Sequence, residues 1–392
     1  MKPPVSGLSR GNAQLMKAIN EGTVLRLVRD LGPLSRTEIA RRSGLTQPTV
    51  TALLDSLIAQ GAIQTVGLGA SSGGRKPLLY EFNPDAALVV GIDAGGSKMA
   101  GGLANLAGRV ITRQTIRREE GPEEPYQRLV ALIRSLLAQA PPGVPIRGIG
   151  LGVPGVTSLE NGVVTLSPNL GWSDFPLGRK LEEEFDLPVY LDNDANTILL
   201  GERWFGAARE VRNALCMAVG TGIGCAVLLE GQLYRGSHDA AGEVGYMATS
   251  RDLLGRPRPG RTAYGFLEQE AAGPGIARRG SEALGFPVDA PEVMRLAESG
   301  NEAARRVVLE TAEHLGLAIA NMACLLDPEL VILTGGVMRS AHLLLEPIRA
   351  VVERLAPYPP HIRLSELKEE AGVLGGVALV LEANRRSVLV EV

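Results

Sequence analysis

The sequence predicts an α/β protein: a winged helix-turn-helix at the N-terminus and a larger two-lobed α/β body behind it. Three observations carry that expectation. Residues 12–60 place apolar side chains at helical spacing and are followed by a period-two hairpin. Two later stretches, "ALVVGIDAGGSKMAGGLANLAGRVI" (Ala87–Ile111) and "CMAVGTGIGCAVLLEGQLYRG" (Cys216–Gly236), repeat one plan of strand, Gly-rich turn, strand, turn and strand. Charge is split along the chain: residues 1–80 carry ten Lys/Arg against four Asp/Glu, and residues 81–392 carry thirty against thirty-nine. A basic end on an acidic body points to an anionic partner. A chain of 392 residues also exceeds the length over which one core keeps growing. The expected domains are 1–82 and 83–392, the second divided into lobes of 83–195 plus the C-terminal helix and 196–375.

In chain order, "AQLMKAINEGTVLRLVRDLG" sets Val24, Leu25, Leu27 and Val28 on a helix that stops at Gly32. A second helix, Arg36–Ser43, opens with Ser35 three residues before Glu38, the pattern of a capping box. Gly44-Leu45 forms the turn. Thr46 caps the third helix, and Pro48 sits in its first turn, where its missing N–H costs nothing. Ile39, Leu45, Val50, Leu53, Leu54 and Leu57 form the inner face. "AIQTVGLGASSGGRKPLLYEFN" then reads as a hairpin with a long Gly/Ser-rich tip. From residue 86 the α/β plan begins, its sheets covered by amphipathic helices such as "EEPYQRLVALIRSLLAQ".

Several classes are excluded. Cys216, Cys225 and Cys324 share no C-x-x-C spacing, so neither a disulfide framework nor a zinc ribbon is indicated. The N-terminus lacks the apolar core of a signal peptide, and the longest apolar run, Ala371–Leu381, is too short to span a bilayer. A cytoplasmic protein with no membrane partner is expected.

The turn Asp93-Ala94-Gly95-Gly96-Ser97-Lys98 joins two strands; its glycines let backbone N–H groups approach a phosphate, and Asp93 suits a Mg²⁺ ion held through water. Gly220-Thr221-Gly222-Ile223-Gly224 is the equivalent turn of the repeat. "YLDNDANTILLGE" sets Asp192, Asn193 and Asp194 after a short apolar run, where a strand end presents a carboxylate; a turn cap is the expected use of Asp192.

Taken together, "LSRTEIARRSGLTQPTV", "SGGRKP", "GIDAGGSK", "GVPG", "SPNLGW", "NDAN", "GTGIG", "AGEVGY", "LEQEAAGPGIARR" and "TGGV" make the chain resemble the ROK family (repressors, open reading frames and sugar kinases) in its regulator form. The resemblance covers essentially the whole chain. It implies a ROK domain of two actin/hexokinase-like (ribonuclease H-like) lobes with a sugar in the cleft. Members are ATP-dependent sugar kinases or sugar-responsive repressors. It further implies that Asn169, Asn193, Asp194, Glu243 and Glu268 contact sugar hydroxyls, groups that amides and carboxylates bond well. Asp194 matches the catalytic base of the kinases, and Gly335 and Gly336 match a nucleotide-side motif. The chain departs from the family in two places. Tyr246 stands where His is usual, as part of the sugar-pocket floor. Pro259, Arg261 and Phe266 stand where a zinc loop has cysteines, so zinc is not expected and Phe266 and Tyr264 are left to pack the loop. No cofactor is required for a regulator; Mg-ATP is the ligand a kinase would add.

For DNA, Thr46, Gln47, Thr49 and Thr51 at the start of the third helix are set to face the major groove. Gln pairs with adenine and Thr meets a thymine methyl. Arg36, Arg41 and Arg42 are candidates for phosphates, and Arg75 and Lys76 on the hairpin tip for a narrow minor groove. The expectation is a sugar-responsive regulator, a repressor, acting on double-stranded operator DNA as a homodimer or dimer of dimers. The alternative is a glucokinase-like or dual-function ATP-dependent sugar kinase.

Overall fold

The computed structural model describes residues 8–69, 76–96, 98–120, 124–248, 250–251 and 264–387. The head runs α1 (Leu8–Leu31), β1 (Leu34–Ser35), α2 (Arg36–Ser43), α3 (Gln47–Ala59), β2 (Ile63–Leu68) and β3 (Leu78–Phe82). Ser35 caps α2 reciprocally: its hydroxyl accepts from the Glu38 N–H, and the Glu38 carboxylate accepts from the Ser35 N–H at 2.9 Å. The helix ends at Gly44, whose φ of 71° is the left-handed conformation a side chain would disfavour. Thr46 caps α3. Val24, Val28, Ile39, Val50, Leu53, Leu54, Leu57 and Ile63 form one buried core. β2 and β3 pair antiparallel from Ile63↔Phe82 to Leu68↔Leu78, as the period-two pattern predicts. β1 adds a third strand on β3 that is too short to leave a periodicity signal. The hairpin tip, including Arg75, lies outside the described residues.

The body contains two sheets with one strand order. The first comprises β4 (Leu88–Ala94), β5 (Lys98–Asn105), β6 (Val110–Arg117), β7 (Ile146–Val153) and β11 (Val189–Asn193), ordered β11-β7-β4-β5-β6. Between β7 and β11 lie a small sheet of β8 (Val156–Ser158), β9 (Val163–Ser167) and β10 (Trp172–Phe175), and helix α5 (Leu177–Phe185). Helix α4 (Pro125–Leu137) lays Leu129, Leu132, Ile133 and Leu136 on the first sheet. The second sheet comprises β12 (Ala214–Val219), β13 (Ile223–Leu229), β14 (Gln232–Leu233), β15 (Leu330–Thr334) and β16 (His361–Leu364), ordered β14-β13-β12-β15-β16. In each, the three hairpin strands are antiparallel and the last two join parallel, so the repeat read from the two Gly-rich stretches is a repeat of topology.

Helices α7 (Phe266–Ala271), α8 (Gly273–Leu284), α9 (Ala290–Glu298), α10 (Glu302–Leu326) and α11 (Ala341–Leu355) build the second core with that sheet. Two further helices cross between the lobes. Helix α6 (Asp194–Phe205) follows β11 directly and buries Ala195 and Leu199 against second-sheet residues Cys216, Ala226 and Ile332. Helix α12 (Ala371–Ser387) returns to the first sheet. There Gly91 and Gly150 allow close approach: a Cβ would stand 2.1 Å from the Val373 carbonyl oxygen and 1.9 Å from that of Gly376. A division of the lobes at 195/196 thus falls inside α6, and residues 371–375 belong to α12. Among the described residues, no helix is long and apolar enough to cross a membrane.

Candidate functional site

Parallel strands β4, β7 and β11 end together, with Asp93 opposite Gly152 and Gly152 opposite Asp192. Ligands of open α/β sheets collect at such carboxyl ends. The first-lobe turn presses Gly96 against the 3₁₀ turn Pro168–Leu170: a Cβ at Gly96 would stand 2.9 Å from the Asn169 carbonyl oxygen. One residue expected on the sugar and one expected on the phosphate therefore share a wall. Asn169 and Lys98 are exposed, and Gly95 turns with no room for a Cβ, which would meet the Lys98 carbonyl at 2.6 Å. Ser97 lies outside the described residues.

Asp194 opens α6, half-buried at its first turn. Its neighbour Asn193 is the N-cap. The Asn193 side-chain oxygen accepts from the N–H groups of Ala195 (2.9 Å) and Asn196 (3.3 Å), and its amide donates to the Gly155 carbonyl at 2.9 Å. Its amide is thus used to fix the helix start, which aims Asp194.

The second lobe brings Glu243, Tyr246 and Glu268 to the same place. Glu243 precedes the 3₁₀ turn Val244–Tyr246, in which Tyr246 is half-buried and donates its backbone N–H to the Glu243 carbonyl. Both oxygens of Glu268 are engaged: one accepts from Ile223 N–H at 2.9 Å and the other from Gly265 N–H at 2.7 Å. Glu268 therefore clamps the Gly220–Gly224 turn to the start of α7. Of the two residues expected to pack the loop before α7, Tyr264 is 44% exposed and Phe266 half-buried; residues 252–263 of that loop lie outside the described residues. Gly224 faces α6, with a Cβ position 3.4 Å from that of Ala195. Gly335 (φ 97°) lies over Val219, next to Gly220, and at Gly220 and Gly336 nothing stands within 4 Å of a Cβ position. Thr221 is exposed beside them.

The carboxylates feel one another. Burial, with the Asp194 charge second, pushes the Asp93 carboxyl up to about 6, against the partial relief of Lys98 and Arg113. Burial also raises Asp194, opposed by backbone N–H bonds. Glu243 keeps an exposed edge, yet desolvation and then the charges of Glu268 and Asp194 raise its pKa. Clustered carboxylates with raised pKa values make this end of the sheets the candidate ligand site.

Sequence reading missed the ion pair of Asp192 and the role of a second buried carboxylate, Glu202. Asp192 is only 2% exposed. It accepts from Asn193 N–H (2.7 Å) and the Asn196 amide (2.9 Å), and its other oxygen takes Arg235 Nε (2.9 Å) and Nη2 (2.6 Å). Arg235 follows β14, so this ion pair joins the lobes; the cap of the next helix is Asn193, and Asp192, expected as a turn cap, holds Arg235 instead. No sequence spacing pointed to Arg235. Glu202, fully buried in α6, accepts from Ala207 N–H, Leu367 N–H and the Ser365 hydroxyl.

A zinc site of the family kind does not fit the thiols present. Cys216 and Cys225 are buried in the second sheet, where desolvation raises Cys216 and pushes Cys225 up to about 12, and Cys324 is exposed on α10. Pro259 and Arg261 lie outside the described residues.

The residues expected on DNA form a separate surface. Arg36, Arg41, Arg42, Thr46 and Gln47 are exposed, with Thr49 and Thr51 half-exposed beside them. Arg36 donates to the Thr51 hydroxyl (3.1 Å), Gln47 to the Thr37 hydroxyl (3.3 Å), and the Thr46 and Thr49 hydroxyls lie 2.8 Å apart. These bonds fuse α2 and the start of α3 into one polar face. Lys76 is exposed at the base of the wing.

Comparison with known proteins agrees with this architecture. Residues 89–383 match the ROK family model and residues 18–65 that of the MarR family. The chain is 33% identical over 391 residues to the xylose repressor of Caldicellulosiruptor bescii, covering 95% of this chain and 97% of that one. It is 34% identical over 312 residues to the glucokinase of Halalkalibacterium halodurans, covering 74% and 94%. A crystal structure of a ROK family transcriptional regulator, a homologue of the E. coli MLC protein, shares the fold with a TM-score of 0.80 at 23% identity over 96% of this chain and 98% of that one. With a MarR-type winged helix followed by two lobes of one strand order, the chain belongs to the ROK family.

Proposed function

We propose that the protein is a sugar-responsive repressor that binds operator DNA through its winged helix and is released or modulated by a sugar in the interlobe cleft. The observation that carries this reading is coverage: the match to the xylose repressor takes in 95% of this chain, head and body together, whereas the match that takes in 94% of the glucokinase leaves about a quarter of this chain uncovered. On this reading Asn169, Asp194, Glu243, Tyr246 and Glu268 contact the sugar, and Glu268 exchanges a backbone bond for a hydroxyl when ligand arrives. Arg36, Arg41, Arg42, Thr46, Gln47, Thr49, Thr51, Arg75 and Lys76 contact DNA. One head reads one half-site, so the active form is a homodimer or dimer of dimers on a pseudo-palindrome, acting in the cytoplasm. Fluorescence anisotropy on a duplex selected from a random pool tests it, with D-xylose, D-glucose and other aldoses as additions. The expected result is an at least fivefold change in operator affinity with one sugar, lost in Asp194→Ala, which still binds the duplex. Unchanged affinity with every sugar overturns the reading.

A second reading, ATP-dependent sugar phosphorylation, has two observations in its favour: open backbone at Gly220 and Gly336, and a carboxylate pair, Asp93 and Asp194, that carries raised pKa values. These residues fit Mg-ATP, since a cation at Asp93 would relieve the charge that burial disfavours, and the nucleotide would supply the transferable phosphoryl group. A coupled ADP-release assay separates the readings. Sugar-dependent turnover that Asp194→Asn abolishes supports the kinase, and a rate equal to that of Asp194→Asn removes it.

A further inference from the structure

We propose that helix α6 is the mechanical relay between the sugar cleft and the DNA-binding head, with Trp204 and Phe205 as its output residues; the proposal rests on the repressor reading above. The helix begins at the cleft, with Asp194 in its first turn. Its C-terminal end meets the head by two routes. In the first, the Trp204 ring lies under the Arg29 guanidinium of α1, 5.6 Å from ring centroid to cation. Arg29 follows Val28 in the core that also holds α3. In the second, the Phe205 ring packs beneath Gly108 so closely that a Cβ there would stand 2.5 Å from it. Gly108 belongs to the β5–β6 turn, and that turn is stitched to the linker. Asn105 (2.6 Å) and Arg109 (2.8 Å) both donate to Asp85, and Leu106 N–H donates to the Pro84 carbonyl at 2.9 Å. The linker is in turn stitched to the end of the recognition helix. Asn83 donates from its backbone to the Ala62 carbonyl (3.0 Å) and from its side chain to the Gly61 carbonyl (2.9 Å).

The two ends of α6 bear on different neighbours. Near the cleft, Ala195 and Leu199 belong to the second-lobe core. At the far end, Phe205 bears on a first-lobe turn, and Trp204 also donates to Glu382 of α12 at 3.1 Å. Glu202, fully buried, pins this last turn through Ala207 and the 365–367 crossover, so the helix moves as a unit. A helix of 12 residues spans roughly 18 Å at 1.5 Å per residue. A ligand that draws the lobes together shifts α6 against the β5–β6 turn, and packed contacts answer such a shift by switching partners rather than stretching. The bistable elements are then the Arg29–Trp204 stack and the Phe205–Gly108 contact. Each sits where α1 and the end of α3 are set in angle.

The test uses the full chain and three readouts: duplex affinity without sugar, sugar binding by calorimetry without DNA, and the ratio of duplex affinities without and with sugar. The sugar is the aldose that moves wild-type affinity, beginning with D-xylose. Arg29→Gln and Trp204→Leu are expected to hold the first two within about threefold and to cut the third to below one third of its wild-type value. Trp204→Phe, which keeps a ring under the guanidinium, restores most of the ratio. Arg29 is half-buried and its remaining bond is to the exposed Asp30, so Arg29→Gln leaves the apolar core intact and reports even where the Trp204 variants fold poorly. A wild-type ratio above 1 that persists in Arg29→Gln and Trp204→Leu removes the relay alone. A wild-type ratio of 1 for every sugar removes the repressor reading and the relay with it.

Discussion

The two lobes share a strand order and treat the same turn in opposite ways. After β4, the first-lobe turn is charged: Asp93 closes the strand, Lys98 opens the next, and the Asp93 carboxyl is held near neutrality by burial and by Asp194. After β12, the equivalent turn has no charge of its own, and a carboxylate from elsewhere, Glu268, takes its Ile223 N–H. In the first lobe a carboxylate is kept at a cost to stability, the usual mark of a group retained for a ligand. In the second, a carboxylate spends its hydrogen-bonding capacity on the backbone and contributes to stability. A duplicated scaffold therefore repeats its backbone without repeating its chemistry, and the seam between copies has its own device, Asp192 with Arg235.

The largest effect is expected at that seam. Arg235→Ala strands the Asp192 carboxylate, and loss of one partner of a buried pair typically costs about 3–5 kcal/mol. Chemical denaturation should show this loss, and Asp192→Asn in the same background should recover part of it, because the amide oxygen still accepts from Asn193 N–H. An Arg235→Ala protein as stable as wild type would mean that the pair contributes no net stability and that the lobes are held by α6 and α12 alone.

Glu268→Ala attacks the second lobe directly. Two charge-assisted bonds to backbone N–H groups are lost, which costs about 3 kcal/mol when neither donor finds water. Glu268→Gln keeps one acceptor oxygen and should lose about half as much. Hydrogen exchange gives the local readout: the Ile223 amide should exchange at least tenfold faster in Glu268→Ala, while the Ala94 amide of the first lobe keeps its rate. Unchanged exchange at Ile223 would show that the turn holds itself, and the contrast between the lobes would then rest on Asp93 alone.

The repeat and the head were legible because each has a local signal. The capping box at Ser35 and Glu38, the turn at Gly44 and the Gly-rich hairpins are all short-range patterns, and each lies in its expected element. The cleft carboxylates Asp194, Glu243 and Glu268 were named through the resemblance, since nothing in their spacing brings residues so far apart in sequence together. Arg235, Glu202 and Trp204 carry no local signal. Each acts through a partner 43 or more residues away, Asp192 for Arg235, Ser365 for Glu202 and Arg29 for Trp204, so only the fold brings the pairs together. Asn193 was named through the resemblance as a sugar contact; its side chain caps α6, a use that its position just before a helix also signals, because Asn is favoured there.

The smallest effect, and the one that most sharpens the contrast, is the pH dependence at Asp93. Its folded pKa of about 6 stands above the 3.8 of an exposed aspartate. Between those values the folded protein holds a proton that the unfolded chain has released. Stability from this group is therefore greatest at low pH and falls as pH rises from about 4 through 6, then levels off. Asp93→Asn removes the titration. The variant and wild type should match near pH 4, and the variant should be more stable by about 2 kcal/mol above pH 7, a figure discounted from the full shift because Asp93 is only half-buried. Asp194→Asn should move the fall to lower pH, because the charge that helps to raise Asp93 is gone. Urea unfolding of the three proteins at intervals from pH 4 to 8 measures both effects. A wild-type curve parallel to that of Asp93→Asn across this range would show Asp93 ionised at no cost, and the first-lobe turn would then differ from the second in sequence only.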